Sequence, residues 1–161
     1  KNFNSLNKHS IGIELTNPGH QNNYKNFSKK QIKSVLSLSK HLIKKYNINN
    51  KNILGHSDIA PLRKKDPGEK FPWEFLASNN IGVWHNLNSS ECKKLRGRRI
   101  NIENKLFYRK LKKFGYFLNI SKKTEIKKIV KSFQRRFRPN LIDGKVDMEC
   151  FEIIKTLILS K

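Results

Sequence analysis

Four side chains in the first half of the chain have the types that metal-assisted hydrolysis uses. Histidine and aspartate are suitable zinc ligands, and His56 and Asp66 supply one of each. A carboxylate such as Glu14 can take a proton from a nearby water, and an ammonium such as Lys64 can stabilise negative charge that develops on a carbonyl oxygen. Their spacing alone is a modest signal, because many loops contain these residue types.

Two short predicted strands would position the glutamate and the histidine. In residues 10–15, large apolar side chains alternate with Gly12 and Glu14, which is the period of a half-buried strand. Glu14 would then project from the face opposite the core. Residues 53–56 indicate a second short strand that ends at His56, and the loop after it carries Lys64 and Asp66.

A well-marked helix separates these two strands. Ser28 and Gln31 fit a capping box, and Ile32, Val35 and further apolar residues follow at helical spacing. The asparagines at 47–50 end the helix. Beyond the loop, aromatic and apolar residues from Trp73 onwards predict another helix that packs back on the sheet.

The second half of the chain has a different pattern. Residues 86–102 are polar and basic, and they contain the best candidate for a linker. Three amphipathic helical patterns follow. The first ends at Gly115, the second is stopped by Pro139, and the third begins near Asp147. Three such helices can close a small bundle. We therefore predict a first domain at 1–88, a linker at 89–102 and a three-helix domain at 103–161.

Composition narrows the function classes. The 161 residues include 35 Lys and Arg against 12 Asp and Glu, so the formal charge is +23 and the expected partner is polyanionic. No apolar run approaches the length of a transmembrane helix, so no membrane span is expected. Two cysteines exclude a disulfide-rich scaffold; Cys92 and Cys150 could form one bridge or stay two buried thiols.

The exact residues of the motifs are a more specific signal than their spacing. Residues 55–61 (GHSDIAP), 63–68 (RKKDPG) and 71–73 (FPW) resemble the zinc-dependent N-acetylmuramoyl-L-alanine amidases of the amidase-2, AmiD-like type. Residues 10–15 (SIGIEL) are similar to the catalytic-glutamate strand of that family. The resemblance covers roughly residues 4–85. It implies an α/β fold: a mixed sheet with flanking helices, similar to the fold of peptidoglycan recognition proteins. The small three-helix domain follows this fold in the chain.

The resemblance also implies a role for each of the four residues. His56 and Asp66 become zinc ligands, Glu14 the general base and Lys64 the group that stabilises the transition state. The implied reaction is hydrolysis of the amide between N-acetylmuramic acid and L-alanine, with Zn²⁺ as the cofactor and peptidoglycan or muropeptides as the partner. The implied location is the cell envelope, the periplasm or the outside of the cell.

The family draws a further histidine ligand from a strand well upstream of its glutamate. Only a few residues precede Glu14 in this sequence. We therefore expect the amidase domain to be incomplete at its N-terminus, in a fragment or a split gene product. On that expectation, catalysis by this chain alone is doubtful.

The last helices resemble a second family. Residues 133–139 (FQRRFRP) and 143–147 (DGKVD) resemble the peptidoglycan-binding domain 1 type, a module that often follows AmiD-like catalytic domains. Two alternatives to an amidase remain open. One is a non-catalytic peptidoglycan-binding remnant of such an enzyme. The other, suggested by charge alone, is a nucleic-acid-binding protein; no nucleic-acid motif supports it, so no nucleic-acid partner is expected.

Overall fold

The computed structural model describes residues 6–99, 104–116 and 123–159. Within these ranges all the regular structure is helical. The α-helices are α1 (Lys29–Tyr46), α2 (His56–Ile59), α3 (Trp73–Ser78), α4 (Ser89–Leu95), α5 (Asn104–Phe114), α6 (Lys123–Phe137) and α7 (Met148–Leu159). Short 3₁₀ turns occur at Leu6–His9 and Asn50–Asn52.

Helix α1 begins and ends as its sequence predicts. The Gln31 amide donates to the Ser28 hydroxyl at 3.2 Å, and the Ser28 amide donates to the Gln31 side chain at 3.0 Å, so the capping box is confirmed. The helix ends at Asn47, which has a left-handed backbone with φ of 50°. Ile32 and Val35 form part of its buried face.

Two apolar clusters organise the chain, and Trp84 packs against both. The N-terminal cluster joins the buried face of α1 to the segment around α3, and its buried members are Ile32, Val35, Phe71, Trp73, Leu76 and Ile81. The C-terminal cluster joins α5, α6 and α7, with Phe107, Phe133 and Ile154 at its centre. The three predicted C-terminal helices are thus confirmed.

The predicted mixed α/β sheet is wrong for the described residues, which contain no strand. Residues 10–15 are irregular and leave Ile11 and Ile13 exposed, and His56 opens helix α2 instead of ending a strand. Alternating side chains make a strand only when a neighbouring backbone accepts the ladder hydrogen bonds. Here the Thr16 carbonyl instead accepts from the Gln31 side chain at 2.7 Å.

The segment predicted as a linker includes helix α4, which is tied to α7. The Arg96 guanidinium donates to both carboxylate oxygens of Glu149, at 2.8 and 2.7 Å, and the Gly97 amide donates to Asp147 at 2.9 Å. Residues 100–103, where this segment ends and the last predicted domain begins, lie outside the described ranges. The domain boundaries at 88 and 102 stay a prediction.

Two absences apply to the part of the chain that the structure describes. No helix there combines the length and the apolar character that crossing a bilayer needs. Cys92 and Cys150 are both buried free thiols, so the bridge that one reading of the sequence allowed is not formed. Burial raises the pKa of Cys150 to about 12 and also raises the pKa of Cys92, which disfavours both thiolates as metal ligands.

Candidate metal centre

His56 and Asp66 come together at the surface. The Nδ1 atom of His56 lies 2.9 Å from Oδ2 of Asp66, and the two side chains are 43% and 59% exposed. The loop between them is held by its own backbone: the Ser57 amide donates to the Asp66 carbonyl at 2.9 Å, and the Lys64 amide donates to the Ala60 carbonyl at 2.9 Å. Local backbone bonds thus set the spacing of the two predicted ligands.

The pair fits a divalent zinc ion in donor type and in spacing. Two ligand atoms on one tetrahedral zinc, each about 2.0–2.1 Å from the metal, lie about 3.3 Å apart. The two side chains form a hydrogen bond of 2.9 Å, about 0.4 Å shorter than that separation, and the exposure of both leaves room for water or substrate. Among residues 6–99, 104–116 and 123–159, no third histidine, cysteine or carboxylate joins the pair.

Glu14 and Lys64 are not brought into contact with this pair. Glu14 is exposed in the irregular segment before Asn17, and Lys64 is half-buried in the loop before Asp66. Within the described ranges, neither side chain forms a hydrogen bond or an ion pair with His56 or Asp66. Their predicted catalytic roles therefore stay predictions.

Asp58 braces the loop from inside. Its Oδ2 accepts from the Gly55 amide at 2.8 Å and its Oδ1 accepts from the Tyr116 hydroxyl at 2.8 Å. Arg136 also donates to Oδ2. Its partners Arg136, on α6, and Tyr116, two residues after α5, are distant in the sequence and carry no local signal that could have identified them.

A second cluster supports the loop from the other side. The Tyr24 hydroxyl donates to the Pro67 carbonyl at 2.6 Å, and the ring of His20 stacks on Tyr24 with centroids 4.4 Å apart. Nε2 of His20 lies 3.0 Å from Oε2 of Glu69. Burial raises the pKa of Tyr24 to about 12. Although burial also opposes ionisation of Glu69, its hydrogen bond with His20 and further favourable contacts lower its pKa.

At Gly68, the loop packs tightly against Tyr24. Its φ is +85°, and a Cβ at this position would lie 2.5 Å from the Tyr24 hydroxyl oxygen. A larger residue would therefore strain the backbone and displace Tyr24. His20 is part of this support.

His85 lies apart from the ligand pair. It is buried and stacks on Trp84, and its Nε2 is 3.2 Å from the Phe137 carbonyl oxygen. Burial lowers its pKa. Trp84 and His85 line a surface cleft of about 840 Å³, and none of the four predicted site residues lines that cleft.

Comparison with known proteins places this geometry in a family context. Residues 2–69 match the model of the N-acetylmuramoyl-L-alanine amidase family. The N-acetylmuramoyl-L-alanine amidase AmiD of Escherichia coli K12 is 35% identical over 161 residues, which cover 95% of this chain and 58% of AmiD. The 1,6-anhydro-N-acetylmuramyl-L-alanine amidase AmpD of Enterobacter cloacae is 41% identical over 71 residues, or 42% of this chain and 34% of AmpD.

The structures agree with the sequences. Escherichia coli AmiD, solved in complex with the substrate anhydro-N-acetylmuramic acid-L-Ala-D-γ-Glu-L-Lys, superposes with a TM-score of 0.80 at 31% identity, covering 93% of this chain and 61% of AmiD. In the sequence comparison, the chain spans about 58% of the length of this relative. Both His56 and Asp66 fall inside the segment that matches the family model. Over nearly its whole length, the chain is therefore similar to the AmiD-like N-acetylmuramoyl-L-alanine amidases.

Proposed function

We propose that this chain carries part of the active site of a zinc-dependent N-acetylmuramoyl-L-alanine amidase. The reaction is hydrolysis of the amide between N-acetylmuramic acid and L-alanine in peptidoglycan or muropeptides. The observation that carries the proposal is the 2.9 Å approach of His56 Nδ1 and Asp66 Oδ2 on an exposed loop within the family-matched segment.

His56 and Asp66 would hold the zinc ion through one imidazole nitrogen and one carboxylate oxygen. When bound, zinc polarises a carbonyl and lowers the pKa of a coordinated water. A catalytic zinc takes three protein ligands, so a further ligand must join these two.

The remaining chemistry is assigned to Glu14 and Lys64. The Glu14 carboxylate accepts the proton of the attacking water and passes it to the nitrogen of the departing L-alanine. The Lys64 ammonium stabilises the negative charge that develops on the carbonyl oxygen. Lys64 lies two residues before Asp66 on the same loop, which supports a position near the reacting carbonyl.

Charge supports the class of substrate. Stem peptides of peptidoglycan carry free carboxylates, and a chain with a formal charge of +23 attracts such a polymer. We assign the helices from α5 to α7 to a peptidoglycan-binding module, and the protein to the cell envelope, the periplasm or the outside of the cell.

A second candidate is a non-catalytic peptidoglycan-binding protein. It is favoured by one observation: the described residues bring two metal-binding groups together rather than three. Such a protein would bind purified sacculi and would release no L-alanine-linked peptide from them, even in excess zinc.

The experiment that separates these functions combines zinc titration with a muropeptide hydrolysis assay. We expect His56→Ala to abolish zinc binding and hydrolysis together, because the imidazole is one of the two assigned ligands. His41→Ala, an exposed histidine on α1, is the matched control and should leave both unchanged. Hydrolysis at the wild-type rate by His56→Ala would disprove the assignment. Binding to sacculi without hydrolysis by the wild-type chain would favour the second candidate.

A further inference from the structure

The turn that presents His56 is too short to be stable from its helical hydrogen bonds alone. Helix α2 has only four residues, and a single helical turn fixes more backbone dihedrals than its few hydrogen bonds compensate. His56 itself is exposed and contributes little packing. We call residues 53–58 the His56 turn, and groups outside it add to the few hydrogen bonds that it makes with its own loop.

Those groups come from helix α6 and from the end of the segment that follows α5. Arg136 on α6 donates to the Asp58 carboxylate and, at 3.1 Å, to the Ile53 carbonyl, so its guanidinium bonds on both sides of His56. The Ser132 hydroxyl donates to the Ser57 carbonyl at 2.6 Å. The Tyr116 hydroxyl donates to Asp58 at 2.8 Å.

Two of these contacts come from the same face of helix α6. Ser132 and Arg136 lie four residues apart on α6 and therefore project from the same side of that helix. Both are buried, although Ser and Arg are usually exposed. A buried polar group is stable only with its partners in place, so this face of α6 and the His56 turn must adopt matching positions.

Aromatic packing restricts the positions that the Arg136 guanidinium can adopt. The Arg136 Cζ atom lies 4.0 Å from the ring centroid of Trp73 and 5.1 Å from that of Phe137. A Cβ on Gly55 would lie 2.9 Å from Pro67 and 3.2 Å from Trp73. Pro67, Trp73 and Arg136 therefore leave the His56 turn little room to shift.

We propose that Arg136, Ser132 and Tyr116 are positioning residues that hold the imidazole of His56 in register with Asp66. All three lie outside residues 2–69, which match the amidase family model. The inference rests on the proposed function, in which His56 binds zinc. It makes α6 part of the support of the metal centre in addition to any role in binding the wall.

Arg138 offers a matched control. It is fully buried just after α6, and it pairs with Asp143, Asp147 and Glu149 without contacting the His56 turn. Arg138→Lys perturbs a buried ion-pair network of the same helices. Arg136→Lys keeps the charge but loses the planar fork that bonds to Ile53 and Asp58 together.

The test compares Arg136→Lys and Ser132→Ala with Arg138→Lys in the whole chain, well below the melting temperature of each variant. Two readouts are used: zinc affinity from competition with a chelator, and hydrogen exchange at the amides of Gly55 and Ser57. We expect Arg136→Lys to weaken zinc binding by about 10-fold or more, as is usual when a group that orients a metal ligand is lost. We expect Ser132→Ala to act in the same direction, and both to speed exchange in the turn.

Arg138→Lys should lower the melting temperature and leave both readouts near wild type. Equal exchange in the wild-type chain and in both α6 variants would overturn the proposal. So would an equal loss of zinc affinity in Arg136→Lys and Arg138→Lys, because that result indicates general destabilisation. If the wild-type chain binds no zinc, the proposed function fails, and the exchange comparison still decides whether α6 positions the turn.

Discussion

Arg138 and His56 each pair with an aspartate, but in opposite surroundings. Arg138 lies in the interior of the C-terminal helices, where Asp147 and Glu149 are buried with it. His56 meets Asp66 at the surface, where both side chains are largely exposed. A buried pair is strongly coupled to folding, because losing one partner leaves the other charged and unsolvated.

An exposed pair contributes little to folding, typically about 0–1 kcal/mol. Stability therefore gives no strong reason for His56 and Asp66 to face each other. The chain thus buries the ion pairs of its C-terminal helices and leaves the His56–Asp66 pair accessible to solvent.

The largest effect is expected at the buried network. Arg138→Met should lower the free energy of unfolding by about 3–5 kcal/mol, because Asp147 then stays buried without its cation and Glu149 keeps only Arg96. Urea denaturation followed by circular dichroism measures the change. Arg109→Met, at an exposed arginine of α5, is the control and should alter stability by about 0.5 kcal/mol or less. A similar small change for Arg138→Met would contradict the interpretation.

At the exposed His56–Asp66 pair, we expect a large effect on zinc binding and a small effect on stability. Asp66→Asn should weaken zinc binding by about 100-fold or more, since even groups that only orient a ligand contribute 10–100-fold. The same substitution should change the free energy of unfolding, measured without zinc, by about 1 kcal/mol or less. Loss of stability comparable with that of Arg138→Met would mean that the pair is structural.

Helix capping should give a smaller and purely local effect. Ser28→Ala removes the hydroxyl that accepts from the Gln31 amide, so it should destabilise the chain by about 1 kcal/mol. Ser34→Ala, at an exposed position within α1, lacks that role and should be close to neutral. Urea denaturation of both variants tests whether the predicted cap contributes to stability.

The smallest effect is expected from pH, at the rim of the buried network. Burial opposes the ionisation of Asp143, but hydrogen bonds from the Lys145 amide and the Gln134 side chain outweigh it and lower its pKa. Its contribution to stability is therefore complete above the ordinary pKa of 3.8 and is lost as pH falls through the lower folded value. Asp143→Asn should weaken the dependence of stability on pH in that acidic window. An unchanged dependence would exclude this role.

Part of the site could be predicted from the sequence because its determinants are close along the chain. The His56 and Asp66 ligand types lie in one loop, and backbone bonds within that loop bring the two side chains together. The placement of Glu14 did not follow, since the strand predicted around it needs a neighbouring backbone that no described residue supplies. Alternation of side chains indicates a tendency to extend but does not identify a partner.

The structural features that follow from the sequence alone are local ones. The capping box of α1, the helix end at Asn47 and the bond from the Gly55 amide to Asp58 involve residues only a few positions apart. Only the tertiary structure decided that Arg136 bonds to Ile53 and Asp58, across 83 and 78 positions, and that no sheet forms in the described residues. The physical reason is that partners so far apart in sequence meet only after the two apolar clusters have packed, and local patterns carry no record of that packing.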